Sequence, residues 1–196
     1  MKKCKSICFL LTGMMMLISS LCIYLPEVIK DISLLGQLTF LSNFLSGILF
    51  LIGGIRGLCK KKDFSRTAYL NATMVLTLVM VVATLFGMNR NFGLFILHVV
   101  NPIIGIIMFL LFTAKEKKYS NKCLFTTLIF PTLYLAYAIS YGYLSGVWMY
   151  GFINIPQKGW GFMLIFIVIS GLLILLISLI LCLINDFIQK RIHMLS

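Results

Sequence analysis

The stretch G-F-M-L-I-F-I-V-I-S-G-L-L-I-L-L-I-S-L-I-L-C-L-I, from Gly161 to Ile184, runs for 24 residues without a charged side chain. About 20 apolar residues suffice to cross the hydrocarbon core of a bilayer as a helix, which satisfies its own backbone hydrogen bonds there. Five stretches of similar character precede it: Ile7 to Leu25, Leu34 to Leu58, Thr67 to Phe86, Gly93 to Phe112 and Cys123 to Leu144. The connections between them are short. The expected fold is all-α, a single membrane domain over residues 1–196 built as a six-transmembrane helix bundle. Composition agrees, because 61% hydrophobic and 11% charged residues, with a mean hydropathy of +1.05, leave too little charge for a water-soluble surface, which needs roughly 25%.

The net charge of +12 could suggest nucleic acid, but its distribution argues against that. If the six segments alternate in direction, one side receives Lys2, Lys3 and Lys5, then Arg56, Lys60, Lys61, Lys62 and Arg66, then Lys115, Lys117, Lys118 and Lys122, then Lys190 and Arg191. The other side receives only Lys30, Arg90 and Lys158. Cytoplasmic loops of membrane proteins are enriched in Lys and Arg, so both termini are expected in the cytoplasm of a cell-membrane protein. The expected partner of this charge is the anionic surface of membrane lipids, with no nucleic acid. Richness in Lys, Ile, Phe and Asn fits a bacterial source.

The first apolar segment follows a basic start, as a signal peptide would. Its core is longer than the usual 7–15-residue apolar region, and no A-x-A site follows it. It is expected to stay as the first span. The six cysteines show no C-x-x-C or Cys/His spacing, so neither a metal site nor a disulfide framework is expected, and they act as small hydrophobes. No cofactor is implied. The connection from Ser145 to Trp160 carries Trp148, Tyr150, Phe152 and Trp160, which suit either an interfacial aromatic belt or a lid over a cavity on that side.

An ionisable residue at membrane depth is costly and marks a functional site by default. His98 is the one histidine within a span. With span two starting at Leu34 and span four at Gly93, Thr39 and His98 both lie five residues below the outer end, roughly 7–8 Å deep at 1.5 Å per residue. Asn43 follows Thr39 by four residues, and Asn101 and Pro102 follow His98 by three and four. Each helix thus presents a polar face around its central residue. On span five, Tyr134, Tyr137 and Tyr141 recur at helical spacing, with Tyr137 and Tyr141 rising towards the same level.

A threonine hydroxyl becomes a nucleophile when a neighbouring base takes its proton, and a neutral imidazole is the natural base near pH 7. Asn43, Asn101, Tyr137 or Tyr141 could orient the pair or donate hydrogen bonds to a developing oxyanion. The bland alternatives are a Thr39 hydroxyl bonded back to its own helix and a His98 that clamps two helices together.

Four motifs in order, L-T-F-L-S-N-F-L at Leu38 to Leu45, L-H-V-V-N-P at Leu97 to Pro102, P-T-L-Y-L-A-Y at Pro131 to Tyr137 followed by Gly142, and W-M-Y-G-F-I-N at Trp148 to Asn154, resemble the six-span androgen-induced-protein-like family. The resemblance extends from span two into the start of span six. It implies hydrolysis of fatty acid esters of hydroxy fatty acids, or of a similar hydrophobic acyl ester, by a Thr and a His, and the positions that look equivalent are Thr39 and His98. The chain departs from many microbial relatives at Met108, where they carry an Asp.

Two other classes compete. A proton- or cation-coupled transporter normally places a carboxylate at membrane depth, whereas Glu27, Asp31, Asp63 and Glu116 fall in connections and Asp186 at the end of span six. Bis-histidine haem lacks a second ligand, since His193 lies in the tail. A non-catalytic integral membrane scaffold or partner subunit is the remaining alternative, and Gly53 and Gly57 would then allow close helix packing.

Overall fold

The structure, a computed structural model, describes residues 2–29, 31–86, 92–113 and 122–194, apart from the side chains of Lys2, Glu27 and His193. Lys30, Arg90, Lys115, Glu116, Lys117 and Lys118 lie outside the described residues. Within them the chain is helical and has no strand. We number the long helices α1 (Lys2–Val28), α2 (Leu38–Leu58), α3 (Arg66–Phe86), α4 (Phe92–Phe112), α5 (Lys122–Ser145) and α6 (Trp160–Met194). All six are long and apolar enough to cross a membrane. Leu164, Ile165, Val168, Ile169, Leu172 and Leu176 leave one side of α6 exposed and apolar, as a lipid-facing surface must be.

Packing is closest between α1 and α2. A Cβ on Gly13 would run into the backbone of Gly47 and Leu51, and one on Gly54 into the backbone of Leu10. Small residues let two helix backbones approach where lipid offers no hydrophobic drive to associate. Of the two glycines expected to serve packing, Gly57 faces Ser6 of α1, while Gly53 faces the Tyr69 hydroxyl of α3. Phe9, Phe50, Tyr69 and Phe109 are fully buried at the centre of the main core, with the Phe9 and Tyr69 rings stacked at 4.8 Å.

The bundle has two distinct ends. At one, Lys5 pairs with Asp63 at 2.6 Å and Arg66 with Asp186 at 3.0 Å. The Asn185 amide reaches the carbonyls of Phe109, Leu110 and Thr113, and that of Gln189 reaches Leu110 and Leu111. The last carbonyls of a helix have no partners within it, and α6 supplies them for α4. This explains why α6 continues beyond the expected limit at Ile184, since its next two turns are fixed to α3 and α4 by polar contacts.

At the other end, the expected start of span two at Leu34 is corrected. Residues Ile32–Gly36 form a 3-10 turn, Gln37 is extended, and α2 begins at Leu38. The Asp31 carboxylate accepts from the Ser33 amide at 2.9 Å. Its hydrogen bonds to Ser33 hold that carboxyl below its ordinary range, so it keeps its charge and caps the turn. Leu34 packs beside Tyr24 and Phe40. Its apolar character, which reads as membrane span, serves a turn folded back onto the bundle.

Gly13→Ala should lower the melting temperature of the detergent-solubilised protein by several degrees, because the backbone of α2 must retreat at a cost of roughly 1–3 kcal/mol. Gly161→Ala, where an added methyl meets open space, should leave it unchanged or raise it slightly. Thermal unfolding of the two variants side by side checks the contrast.

Candidate functional site

Thr39 is the second residue of α2. Gln37 offers no side-chain cap to that helix; the free Leu38 amide is instead received by two hydroxyls from distant parts of the chain, Tyr134 at 3.0 Å and Tyr150 at 3.1 Å. Tyr24 of α1 donates to the Gln37 side chain at 3.0 Å. Three tyrosines therefore fix where α2 begins, and with it the position of Thr39.

His98 sits in a distorted part of α4. Pro102 has no N–H to give to the His98 carbonyl four residues back, and its ring would crowd that carbonyl in a regular helix. The helix widens instead into a π turn over Ile96–Val100, in which the Asn101 amide bonds to the Ile96 carbonyl five residues back. Such single wide turns recur at functional sites. Here the turn buries Leu97 completely and sets His98 on the wall facing α2.

The Thr39 Oγ1 and His98 Nε2 atoms lie 3.0 Å apart. His98 Nδ1 is buried and faces the Leu94 carbonyl without reaching hydrogen-bond geometry. A proton on Nδ1 would face that carbonyl, which leaves the Nε2 lone pair to accept from the Thr39 hydroxyl. The hydroxyl is turned to the imidazole and not back into its own helix.

Asn43 and Asn101 form the layer beneath. Asn43 donates to the Thr39 carbonyl at 2.8 Å and the Leu97 carbonyl at 3.2 Å. Asn101 donates to the Asn43 side-chain oxygen at 2.8 Å and to the Ser19 hydroxyl at 3.0 Å. Both N–H bonds of each amide are thereby used. The pair orients Thr39 and His98 and links α1, α2 and α4, and neither amide has a proton left for an oxyanion.

Tyr137 and Tyr141 lie elsewhere. They line a separate groove with Ile32, Ser33, Leu35, Gly36 and Leu41, because the 3-10 turn before α2 packs against them. Tyr134, one turn lower on the same face, is the member of the series that reaches the site. The expectation that Tyr137 and Tyr141 meet Thr39 and His98 is corrected accordingly.

Thr39 and His98 share a cavity of about 390 Å³ with Tyr24, Gln37, Val79, Val82, Ala83, Phe86, Leu94 and the segment Met149 to Phe152. That volume falls in the range of small-molecule sites. The α5–α6 connection forms one wall of the cavity, where Phe152 stacks on Phe86 at 4.3 Å and Tyr150 on Phe152 at 5.2 Å. Part of the connection thus borders a cavity, while Trp160 remains exposed. Burial pushes the Tyr150 phenol above the ordinary tyrosine range, opposed in part by the neighbouring Tyr134 hydroxyl and Leu38 amide. The phenol keeps its proton at neutral pH and can donate it. Beyond Tyr150 and Phe152 an apolar slot of about 70 Å³ continues between Leu78, Leu135, Phe166 and Ile174. Among the described residues no group of three His, Cys, Asp or Glu side chains gathers to hold a metal ion.

Sequence reasoning missed Tyr24, Gln37 and the full part played by Tyr150. A tyrosine near the end of a span reads as an interfacial anchor, and nothing in its spacing says that it turns inward. No protein-family model matches this chain, and no curated protein and no solved structure shows significant similarity to it.

Asn101→Ala removes the donor to Asn43 and Ser19 and should destabilise the protein by about 1 kcal/mol, the scale of interhelical hydrogen bonds in membranes. Tyr137→Phe, outside the cavity, should have no such effect. Thermal unfolding in detergent distinguishes them.

Proposed function

We propose that this protein is an intramembrane hydrolase of lipid esters, with Thr39 as nucleophile and His98 as its base. The observation that carries this reading is the 3.0 Å contact between Thr39 Oγ1 and His98 Nε2 on the wall of a cavity. A clamp between two helices would make the same hydrogen bond but has no use for the space beside it.

In the proposed reaction His98 Nε2 takes the Thr39 proton as Oγ1 attacks the ester carbonyl carbon, giving a tetrahedral oxyanion. Collapse breaks the bond to the alcohol oxygen, and that oxygen leaves with the proton from Nε2. Water then attacks the acyl-threonine, His98 again taking the proton, and the products are a carboxylic acid, an alcohol and the regenerated hydroxyl. Tyr150 is the donor best placed for the oxyanion, since its oxygen already accepts from the Leu38 amide and its phenol lines the same cavity as Thr39 and His98. Position at the start of α2 helps as well, because the N-terminal end of a helix carries partial positive charge. The Asn43–Asn101 layer holds the two reacting groups in register.

The apolar slot beyond Tyr150 is too small for a long acyl chain, so the tail of a fatty ester would extend towards surrounding lipid or displace the Met149–Phe152 segment. An acyl ester of a hydroxy fatty acid, as the sequence resemblance implies, has a carbonyl with apolar substituents on both sides and suits such a site.

We also propose that both termini face the cytoplasm of a cell membrane. The described basic residues, apart from Lys158, gather at the end of the bundle that carries the Lys5–Asp63 and Arg66–Asp186 pairs, in accord with the charge asymmetry of cytoplasmic loops. The Thr39–His98 cavity would then lie in the outer half of the bilayer.

Thr39→Ala and His98→Ala should each reduce turnover of a fluorogenic lipid ester by about 10³-fold or more, and Tyr150→Phe by about 10²-fold. A serine- and threonine-directed fluorophosphonate should label the wild type but not Thr39→Ala, while Thr39→Ser retains labelling and controls for folding. Equal labelling of a folded Thr39→Ala variant would remove the proposed nucleophile.

A further inference from the structure

The end of the bundle opposite the Thr39–His98 cavity holds a cleft of about 560 Å³ between the first turns of α1 and the last turn of α2. Its floor is Phe9, Leu58 and the two glycines Gly53 and Gly57, and its rim carries Lys3, Lys5, Lys60 and Lys61. Asp63 is the acid that lines it. That carboxylate is fully engaged: Lys5 takes Oδ2 at 2.6 Å, and the Tyr69 hydroxyl and Phe64 amide donate to Oδ1 at 2.7 and 2.8 Å. Lys5, neutralised in this way, also lies 5.4 Å over the Phe9 ring and forms part of the wall.

Lys3, Lys60 and Lys61 then face one space with no carboxylate paired to them among the described residues. The amino end of α1 adds to the positive potential, and at the carboxyl end of α2, which carries the opposite partial charge, Lys60 and Lys61 outweigh it. The first turn of α1 contains no acidic residue, although the amino end of a helix is itself positive and ordinarily attracts acids. At the carboxyl end of α2, Lys60 takes a left-handed conformation with φ 55°, and the Lys61 amide closes the turn onto the Arg56 carbonyl at 2.8 Å. Glycine is the usual occupant of that position. A lysine there places a charge on the rim at a conformational cost.

We propose that this cleft binds the phosphate of an anionic phospholipid headgroup. Three ammonium groups and a helix amino end supply the attraction for a phosphate, and they surround an apolar floor that a soluble ion would not use. Leu58 lines the cleft and is exposed, as are Ile55 one turn before it on α2 and Ile7 near the start of α1, an apolar surface along which the acyl chains would lie. The site stands independently of the hydrolase reading and of which side of the membrane this end faces.

The test uses the full-length protein in a neutral detergent, with phosphatidylglycerol and phosphatidylcholine added in turn, and reads bound lipid by native mass spectrometry and the melting temperature. Phosphatidylglycerol should bind and stabilise, and phosphatidylcholine should do neither. The triple variant Lys3→Gln, Lys60→Gln, Lys61→Gln changes only exposed side chains and should lose affinity by roughly fivefold per lysine, about 10²-fold in all. Lys158→Gln, at the other end, should bind as the wild type does. Equal binding of the two lipids, wild-type affinity in the triple variant, or an equal loss in Lys158→Gln would overturn the site. Full stabilisation by millimolar inorganic phosphate alone would overturn the lipid assignment in favour of a soluble phosphate.

Discussion

Asn43 and Asn101 share one hydrogen bond across the interface of α2 and α4, and the register of these helices depends on it. Within a bilayer, a side-chain amide turned away from its neighbours has no water to replace them. Its partners must be other parts of the protein. Asn43 meets this demand through the Thr39 and Leu97 carbonyls, and Asn101 through Asn43 and Ser19. Sliding α2 against α4 by one turn would break two of these four bonds together, the one from Asn43 to Leu97 and the one from Asn101 to Asn43. The layer above inherits that fixed register, and the Thr39–His98 contact is one consequence.

The second constraint comes from Pro102. A proline in the middle of an apolar helix removes one backbone donor and crowds one carbonyl, and α4 absorbs this by taking an extra residue into the turn that contains His98. Through this wide turn Leu97 is fully buried, Asn101 reaches Asn43, and His98 faces Thr39. Proline, wide turn and imidazole therefore form a single local solution, and the sequence L-H-V-V-N-P contains all of its elements.

The six long apolar helices were legible in the sequence because length and hydropathy alone set them. Pairing of Thr39 with His98 was legible for a different reason: both segments start at the same end, and each carries an isolated polar cluster. The ends of the elements were not. Leu34 is as apolar as any lipid-facing residue, and only tertiary contact with Tyr24 and Phe40 places it in a folded-back turn. The roles of the tyrosines were hidden for a related reason. Tyr134, Tyr137 and Tyr141 share one helical face, but the turn at Ile32–Gly36 occupies the upper part of that face and leaves only Tyr134 to the site. Met149 to Phe152 reads equally well as belt or lid, and the choice depends on Phe86, which is remote in sequence.

That misplaced helix start has a chemical consequence. In the interior of a membrane helix a threonine hydroxyl ordinarily donates to the carbonyl one turn behind it, as Thr77 does to Thr73 and Thr84 to Met80 in α3. Had α2 begun at Leu34, Thr39 would have had such a carbonyl and His98 would have competed with it. Because the helix begins at Leu38, no α-helical turn precedes Thr39, and the hydroxyl finds its acceptor in the imidazole. The same displacement brings the positive end of the α2 dipole and the amide held by Tyr134 and Tyr150 beside that hydroxyl. The proposed nucleophile would need a base for its proton and a place for negative charge to develop, and the second residue of α2 lies beside His98 and at the positive end of the helix.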